Sequence, residues 1–285
     1  MADDRHVHCL INGVAADQVS VFDRGLQYGD GLFETVAVAA GRLLYRERHL
    51  DRLRRDCRRL AIPEPDPEVL CREGQELARR CTRGVLKLVI TRGVGGRGYR
   101  PPERPTPTRI VSLHPWPDHP QSWRTNGVRV RICRQRLGGA AALAGIKHLN
   151  RLEQVLARAE WDDPEVAEGI MLDTDGRPVE GTMSNLFVVT DGVLQTPHLS
   201  TCGVAGIIRA RIMELAQVMG IPCREAVLEM ADIGRAQEVF VTNSIIGVWP
   251  VNALEERRWS AGPLTRRLSE ALMQDAAGPS AAQLW

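Results

Sequence analysis

The stretch GIKHLNRLEQVLA occupies residues 145–157 and decides how the rest of the chain is interpreted. Lys147 follows a small, glycine-rich segment, residues 138–145, and opens a pattern that predicts an amphipathic helix over Lys147–Trp161. A lysine that opens a helix is most often a surface charge. A lysine in a desolvated site, however, has the lowered pKa that a Schiff-base amine needs. The buried stripe of this helix would consist of Leu149, Leu152, Val155, Leu156 and Ala159.

Three segments downstream combine polar groups or glycines with a neighbouring element. Glu180 opens EGTMSN, residues 180–185, just before an apolar strand, where it is either a strand-edge carboxylate or a ligand-binding acid. GVAGIIR, residues 203–209, opens a helix, and its free N–H groups would suit a phosphate unless this is a plain loop-to-helix junction. The cluster Thr242-Asn243-Ser244 ends a strand and is either a polar site or an ordinary turn.

Two segments upstream carry further candidates. Arg52 lies in HLDRL, residues 49–53, on a predicted helix whose many arginines are otherwise typical of a solvated face. The segment Arg92–Pro107 is rich in glycine, proline and arginine and is therefore predicted as a loop. A loop of this length inside a compact domain is more often functional than idle.

Hydrophobic periodicity predicts a mixed α/β chain of the α+β type. The proline-rich segment 116–127 is predicted as a linker between a smaller domain, residues 1–115, and a larger one, residues 128–285. Helices are predicted over Glu47–Ala61, Pro67–Cys81 and Gly206–Met219, and strands over Gly31–Ala39, Val85–Thr91, Arg109–Leu113, Val128–Cys133, Asn185–Thr190 and Glu238–Thr242.

Composition narrows the possible functions. The 285 residues carry a formal net charge of only +2, which argues against nucleic acid or a membrane surface as the main partner. The seven cysteines show no C-x-x-C spacing, so reduced thiols are expected and no metal site is predicted. The first ten residues, MADDRHVHCL, lack the apolar core of a signal peptide, and a cytoplasmic protein is expected.

The order of these segments resembles that of the fold-type IV pyridoxal-phosphate enzymes over nearly the whole chain. The resemblance rests on the general motifs of that family and on two stretches, LNRLEQVLA and RGVGGRGY, that favour its lyases over its transaminases. The matching stretches are DRGLQYGDGLFET at 23–35, HLDRL at 49–53, TRGVGGRGY at 91–99, GIKHLNRLEQVLA at 145–157, EGTMSNLF at 180–187 and GVAGIIR at 203–209.

The resemblance implies a two-domain fold with pyridoxal 5′-phosphate in the cleft between the domains. It makes Lys147 the catalytic residue that binds the cofactor covalently, and Glu180 the partner of its ring nitrogen. It assigns the phosphate to Arg52, to the backbone of Ile207 and Ile208, and to Asn243 with Ser244. Transaminases of the family often carry a threonine in that last turn, so Thr242 could share the task. Tyr28 would lie on the substrate side of the cofactor.

The reaction implied by the resemblance is conversion of 4-amino-4-deoxychorismate to 4-aminobenzoate and pyruvate, a step of folate biosynthesis. The alternative is a D-amino-acid or branched-chain aminotransferase of the same fold. The substrate carries two carboxylates, for which Arg97 and Tyr99 are the candidate ligands. Relatives in this family are homodimers in which the loop reaches the neighbour's site. A homodimer with a shared active site is therefore expected.

Overall fold

The computed structural model describes residues 8–277 and divides them into two compact units. The first unit consists of residues 8–117 together with 147–150, and the second of residues 118–146 with 151–277. The first seven residues, on which part of the argument against a signal peptide rests, lie outside the described range. No described helix is long and apolar enough to cross a membrane.

The first unit is an antiparallel sheet with helices packed against it. Within residues 8–117, six strands pair in the order β2-β1-β6-β5-β3-β4. The longest pairing joins β3 to β5, from Gly31 opposite Thr91 to Ala39 opposite Arg83. The elements are β1 His8–Ile11, β2 Val14–Ala15, α1 Arg24–Tyr28, β3 Gly31–Ala39, β4 Arg42–Leu43, α2 Arg46–Arg59, α3 Pro67–Ala78, β5 Arg83–Thr91 and β6 Thr108–His114.

The second unit is built on a larger, mixed sheet. Its elements within residues 118–277 are α4 Ser122–Asn126, β7 Val128–Leu137, α5 Leu152–Arg158, β8 Val166–Asp173, β9 Pro178–Gly181, β10 Asn185–Thr190, β11 Val193–Pro197, α6 Ile207–Val218, β12 Cys223–Ala226, α7 Met230–Arg235, β13 Glu238–Asn243, β14 Gly247–Leu254, β15 Arg257–Arg258 and α8 Pro263–Ala277. The main strand order is β12-β11-β10-β13-β14-β7-β8-β9, with β15 on β14. Strand β9 also pairs with β10, with Glu180 opposite Asn185, so the strand order from β10 to β9 closes into a ring.

The second unit's core lies on both faces of these strands. On one face, apolar side chains of β7, β8, β10, β13 and β14 pack into a cluster that includes Val130, Ile170 and Leu186. On the other face of β10 and β13, the buried rings of Phe187 and Phe240 stack on each other. Near-continuous apolar runs, rather than strict alternation, are typical of strands covered on both sides. The mixed α/β architecture expected from the sequence is confirmed.

The predicted helix over Lys147–Trp161 is wrong in its first turn and in its buried face. Helix α5 begins only at Leu152, because residues 147–149 instead pair with the edge of β3. The Phe33 N–H donates to the Lys147 carbonyl at 3.0 Å, and the Leu149 N–H donates to the Gly31 carbonyl at 3.0 Å. The expected core stripe is also largely outside: Leu152, Val155 and Leu156 are 75%, 59% and 57% exposed.

Candidate active site

Lys147 is held in the first unit by its pairing with β3. Its Nζ lies 4.2 Å from the centroid of the Phe33 ring. Its backbone N–H donates to the Asp56 carboxyl group, whose pKa burial nevertheless raises. Its charge also acts on His49, because Lys147 is among the groups that lower the pKa of that imidazole. The extended segment thus places the amine beside an aromatic ring and the buried face of α2.

Arg52 lies on that buried face and is paired with a carboxylate. Its Nε donates to Glu34 Oε1 at 2.8 Å, and His49 Nδ1 lies 2.6 Å from Glu34 Oε2. Burial acts to raise the pKa of Glu34, but the Arg52 charge and the hydrogen bonds from His49 and Arg52 lower it to about 2. Burial lowers the pKa of His49, against the opposing effect of Glu34. His49 Nε2 is buried and has no hydrogen-bond partner among the described residues.

Glu180 is a buried group within β9 and not a strand-edge carboxylate. It pairs with Met171 on one side and with Asn185 on the other. Its Oε2 accepts a hydrogen bond from the Val204 N–H at 2.8 Å. The loop that precedes α6 therefore fixes the direction of this carboxylate.

Helix α6 begins with Ile207 and Ile208, as the sequence had suggested for a phosphate site. The first N–H groups of a helix have no partner within the helix, and no side chain caps this one. A Cβ on Gly206, the N-cap residue, would lie 2.0 Å from Asn185 Oδ1, so only glycine fits there. Asn185 Nδ2 also donates to the Val204 carbonyl at 2.8 Å and so fixes the loop.

The turn after β13 uses the side chains of Thr242 and Asn243 internally. The Asn243 Oδ1 accepts the N–H groups of Ile245 and Ile246 at 2.8 and 2.9 Å, and its Nδ2 donates to the Met183 carbonyl at 3.0 Å. The buried Thr242 hydroxyl donates to the Gly247 carbonyl. Ser244 is half-buried, and its hydroxyl has no hydrogen bond to any described residue. Of the three candidates in this turn, Ser244 is therefore the one whose side chain stays available.

The loop after β5 presents the two substrate-side candidates. Arg97 is exposed and Tyr99 is 85% exposed. The Tyr28 ring lies edge-on to the Tyr99 ring, with centroids 5.5 Å apart, and its hydroxyl accepts the Gly98 N–H at 3.2 Å. Tyr28 and Tyr99, distant in sequence, are thus brought together.

Glu168 is a buried carboxylate that the sequence analysis did not single out. Its Oε1 accepts from the N–H and hydroxyl of Thr182 at 3.0 and 2.5 Å and from the Gly169 N–H at 2.8 Å. Its Oε2 accepts from the Ser184 hydroxyl at 2.7 Å and the Met183 N–H at 3.2 Å. The available signal was a charged residue inside the otherwise apolar β8, since a buried charge needs partners.

The candidate residues are divided between the two units. The first unit contains Lys147, Arg52, Tyr28, Arg97 and Tyr99, and the second contains Glu180, Ile207, Ile208, Asn243 and Ser244. Within residues 8–277, no group of three or more His, Cys, Asp or Glu side chains is placed to hold a metal ion. The first unit offers an amine and a guanidinium, and the second a buried carboxylate and a helix N-terminus.

Comparisons with known proteins show where this combination belongs. Residues 31–254 match the family described as amino-transferase class IV. The chain is 37% identical over 262 residues to the aminodeoxychorismate lyase of Vibrio harveyi, covering 90% of this chain and 97% of that protein. It is 33% identical over 271 residues to a putative branched-chain-amino-acid aminotransferase of Methanocaldococcus jannaschii, covering 91% and 93%.

A solved structure gives the same result at the level of the fold. The 4-amino-4-deoxychorismate lyase of Pseudomonas aeruginosa superposes with a TM-score of 0.90 and 50% sequence identity, covering 94% of this chain and 98% of that one. The resemblance to fold-type IV enzymes drawn from the motifs is therefore confirmed, and the chain belongs to the amino-transferase class IV family.

Proposed function

We propose that this protein is a pyridoxal-phosphate-dependent lyase that converts 4-amino-4-deoxychorismate to 4-aminobenzoate and pyruvate. The observation that carries the proposal is the likeness to the Vibrio and Pseudomonas lyases along nearly the full length of each chain. Lys147 and Glu180 support it, because a lyase of this kind needs an amine and a carboxylate at its cofactor.

The side chains of each unit fit the cofactor chemically. The first unit supplies the Lys147 amine and the buried Arg52 guanidinium. The second supplies the buried Glu180 carboxylate and the start of α6, where no side chain caps the first N–H groups and a Cβ on Gly206 would clash with Asn185. Helix N-termini and arginine are the groups that proteins use for phosphate. Lys147, Glu180, Arg52, Ser244 and the backbone of Ile207 and Ile208 would therefore hold the cofactor.

Each of these groups has a distinct task in the reaction. The bound cofactor supplies an electron-withdrawing ring that stabilises negative charge at the substrate carbon that bears the amine. Lys147 would remove the proton from that carbon, and the C–O bond at the neighbouring ring carbon would break so that the ring becomes aromatic. The enolpyruvate that leaves takes up a proton at carbon and becomes pyruvate. Glu180, oriented by the Val204 N–H, keeps the pyridine nitrogen protonated. Arg97 and Tyr99 bind the substrate carboxylates.

Product analysis without an acceptor tests the lyase assignment. Purified enzyme given generated 4-amino-4-deoxychorismate should release 4-aminobenzoate and pyruvate in equal amounts with no 2-oxo acid added. Lys147→Ala, loaded with cofactor, is the inactive control. An enzyme that turns over D-amino or branched-chain amino acids only when a 2-oxo acid is present would instead be an aminotransferase.

Chemical trapping tests Lys147 without relying on turnover. Borohydride added to the cofactor-loaded protein should fix the cofactor on Lys147, as mapped by mass spectrometry of peptides. Lys87, the chain's other lysine, is exposed on β5 and serves as the internal control. A reduced adduct found on Lys87 would overturn the assignment.

Substitution of Glu180 separates cofactor binding from turnover. Glu180→Gln should retain the cofactor and lose on the order of 10²-fold or more in kcat, since an amide cannot keep the ring nitrogen protonated. The exposed Glu165→Gln, a few residues before the same sheet, is the matched control. Near-normal turnover in Glu180→Gln would remove this residue from the mechanism.

The phosphate assignment is tested by comparing arginines of the same helix. Arg52→Ala should weaken cofactor affinity by about 1.5–3 kcal/mol, the range of a charged hydrogen bond. Arg54→Ala and Arg58→Ala should leave it nearly unchanged, because both side chains pair with Glu64 at the surface. Equal losses from all three would indicate a diffuse positive field in place of a specific contact.

We further propose that the enzyme is a homodimer whose sites are completed by Arg97 and Tyr99 of the partner subunit. Exposed apolar side chains support association, since monomeric proteins rarely leave such groups clustered. The second unit exposes Leu152, Val155 and Leu156 on α5, and the first exposes Phe22 and Leu26 beside the loop. A second copy of the chain is the partner that would cover them.

Subunit mixing tests this shared site. Lys147→Ala chains are expected to be inactive and Arg97→Ala chains to turn over only at high substrate concentration, so a mixture that is allowed to exchange should recover activity at low substrate concentration. A loop acting across the interface leaves one site of the mixed dimer intact, whereas a loop acting within its own chain leaves one lesion in every site. Absence of recovery, with exchange shown independently, would reject the shared site.

A further inference from the structure

The loop that carries Arg97 and Tyr99 is fixed by a single buried side chain. Arg24, which is only 3% exposed, donates from Nη1 to the Gly98 carbonyl at 2.9 Å and from Nη2 to the Tyr99 carbonyl at 3.0 Å. Its Nε donates to Asp30 at 2.8 Å. The loop is rich in glycine, a composition typical of flexible segments. The Arg24 guanidinium nevertheless anchors it at two successive carbonyl groups.

Backbone contacts bring the same loop directly onto Arg24. The Arg24 N–H donates to the Gly93 carbonyl at 2.9 Å, and the Gly95 N–H donates to the Phe22 carbonyl at 3.3 Å. A Cβ on Gly95 would lie 2.8 Å from Arg24 Cδ, so the loop can approach only because that position is glycine. The segment from Gly95 to Tyr99 therefore lies against the Arg24 side chain.

Arg24 is itself held in place by a charge network. Asp30 accepts from Arg24 and from Arg92, both at 2.8 Å. Burial acts to raise the pKa of Asp30, but the two arginines lower it. Arg92 also donates to the carbonyls of Leu60 and Ala61, just beyond α2. The guanidinium of Arg24 consequently has little freedom to move, and neither has the loop that it binds.

We propose that Arg24 is a positioning residue for substrate binding, which fixes the loop so that Arg97 and Tyr99 project in defined directions. Arg24 does not contact the substrate in this role, because its Nε, Nη1 and Nη2 atoms each donate to Asp30, Gly98 or Tyr99. The inference rests on the proposed role of Arg97. Its physical basis is that side chains held in a productive geometry before binding lose less entropy when the ligand arrives.

Kinetics of Arg24 variants provide the first test. Arg24→Ala should raise KM on the order of tenfold to a hundredfold while kcat changes less, since misplacement of a binding group by about 1 Å can have effects of that size. Arg24→Lys should recover little, because an ammonium keeps the charge beside Asp30 but lacks the planar fork that reaches two carbonyls. Arg24→Lys also carries the test if Arg24→Ala does not fold. Recovery of the normal KM in Arg24→Lys would reject a role for the two hydrogen bonds from the guanidinium to the Gly98 and Tyr99 carbonyls.

A double variant shows whether Arg24 acts through Arg97. Arg24→Ala combined with Arg97→Ala should be little worse than Arg97→Ala alone, whereas independent effects would add. Arg109→Ala, which removes an ion pair to Glu73 in the same unit, is the control for general loss of packing and should leave KM unchanged. Trypsin should cleave the loop after Arg97, which Gly98 follows, faster in Arg24→Ala than in Arg109→Ala.

The outcomes distinguish failure of this inference from failure of the proposed function. An unchanged KM in Arg97→Ala would reject the role of the loop and the inference with it. A raised KM in Arg97→Ala together with an unchanged KM in Arg24→Ala and Arg24→Lys would reject the inference alone. A raised KM in both single variants, with no further rise in the double variant and faster cleavage of the loop, is the result expected.

Discussion

Glu34 and Glu168 are both buried carboxylates on strands that have a neighbour on each side, but they are stabilised by different kinds of partner. Glu34, on β3, accepts from the charged Arg52 guanidinium and from His49. Glu168, on β8, accepts from N–H groups and hydroxyls, with no cation among its hydrogen-bond partners in the described chain. Each is 1% exposed. Burial alone therefore does not determine what a carboxylate does in this protein.

Glu34 balances a buried positive charge, whereas Glu168 fixes the backbone of a loop. Glu34 orients two side chains and balances a positive charge that the proposed function assigns to a phosphate. Glu168 instead gathers donors from Thr182, Met183 and Ser184, the residues between Glu180 on β9 and the start of β10. A carboxylate paired with cations should respond to pH and to loss of its partner charge. One held by N–H and hydroxyl donors should be sensitive to loss of an acceptor.

The largest effect is expected from neutralising Glu34. Glu34→Gln should lower the free energy of unfolding of the cofactor-free protein by about 3–5 kcal/mol, because it leaves the Arg52 charge buried without a counter-charge. Urea titration measures this change. The double variant Glu34→Gln with Arg52→Met should be more stable than Glu34→Gln alone, since the unpaired charge is gone. A double variant no better than the single one would mean that charge balance is not the role of Glu34.

A smaller loss is expected from Glu168→Gln. The amide retains one acceptor oxygen but turns an NH₂ group toward the Met183 N–H, which loses its partner, whereas the Ser184 hydroxyl can rotate to accept from the amide. One unsatisfied buried donor costs about 1–3 kcal/mol. Ser184→Ala, which removes one donor and leaves the carboxylate intact, is the matched control in the same titration. A loss in Glu168→Gln no larger than that in Ser184→Ala would show that the loop does not depend on this carboxylate.

The charge pairing of Glu34 should make the free energy of unfolding depend on pH. The pKa of Glu34 falls from 4.5 to about 2 on folding, so the unfolded chain binds this proton first. The stabilisation is therefore present above about pH 4.5 and is lost as the pH falls toward 2, by on the order of 3 kcal/mol. His49 acts in the same direction from pH 6.5 downward, because its pKa is lowered on folding. Urea midpoints between pH 7 and 3 should fall less steeply in Glu34→Gln than in the unsubstituted protein.

The smallest effect is expected at an exposed carboxylate with the same type of partner. Glu64 pairs with Arg54 at 3.1 Å and Arg58 at 2.5 Å, all at the surface. Glu64→Gln should leave the urea midpoint unchanged within error, because solvent screens exposed ion pairs. A shift as large as that of Glu34→Gln would contradict the view that burial makes the charge pairing of Glu34 important.

The sequence predicted local elements well where the pattern and the packing agree. Strands Gly31–Ala39 and Asn185–Thr190 are confirmed, as is the helix after Gly206, whose start the glycine signals. The hydrogen-bond partners of buried charged residues could not be predicted from the sequence. Neither the pairing of Arg52 with Glu34 nor the donors around Glu168 follow from spacing, because each joins residues of different elements.

Two predictions from local periodicity, the helix start at Lys147 and the buried face of α5, were wrong for a common reason: the spacing of a segment does not show what the segment packs against. Local periodicity placed Lys147 in a helix, but the edge of β3 offers its segment hydrogen bonds that a helix start cannot match. The same periodicity correctly marked the apolar residues of α5, although nothing in it says whether the surface that covers them belongs to the same chain. The family resemblance assigned Asn243 to the phosphate, and the side chain of Asn243 is used by the turn itself. Its assignment to the phosphate stays a prediction.

The pairing of residues 147–149 with β3 has a consequence for the order in which the chain can fold during synthesis. The free edge of β3 beside Gly31 and Phe33 is closed by residues that emerge from the ribosome only after β7, the first strand of the second unit. At about 5–20 residues per second, that edge stays open for several seconds after β3 itself is made. An uncovered strand edge is a template for pairing between chains. The segment that carries Lys147 therefore also protects the nascent sheet, and a fragment ending at residue 117 should aggregate where the full chain does not.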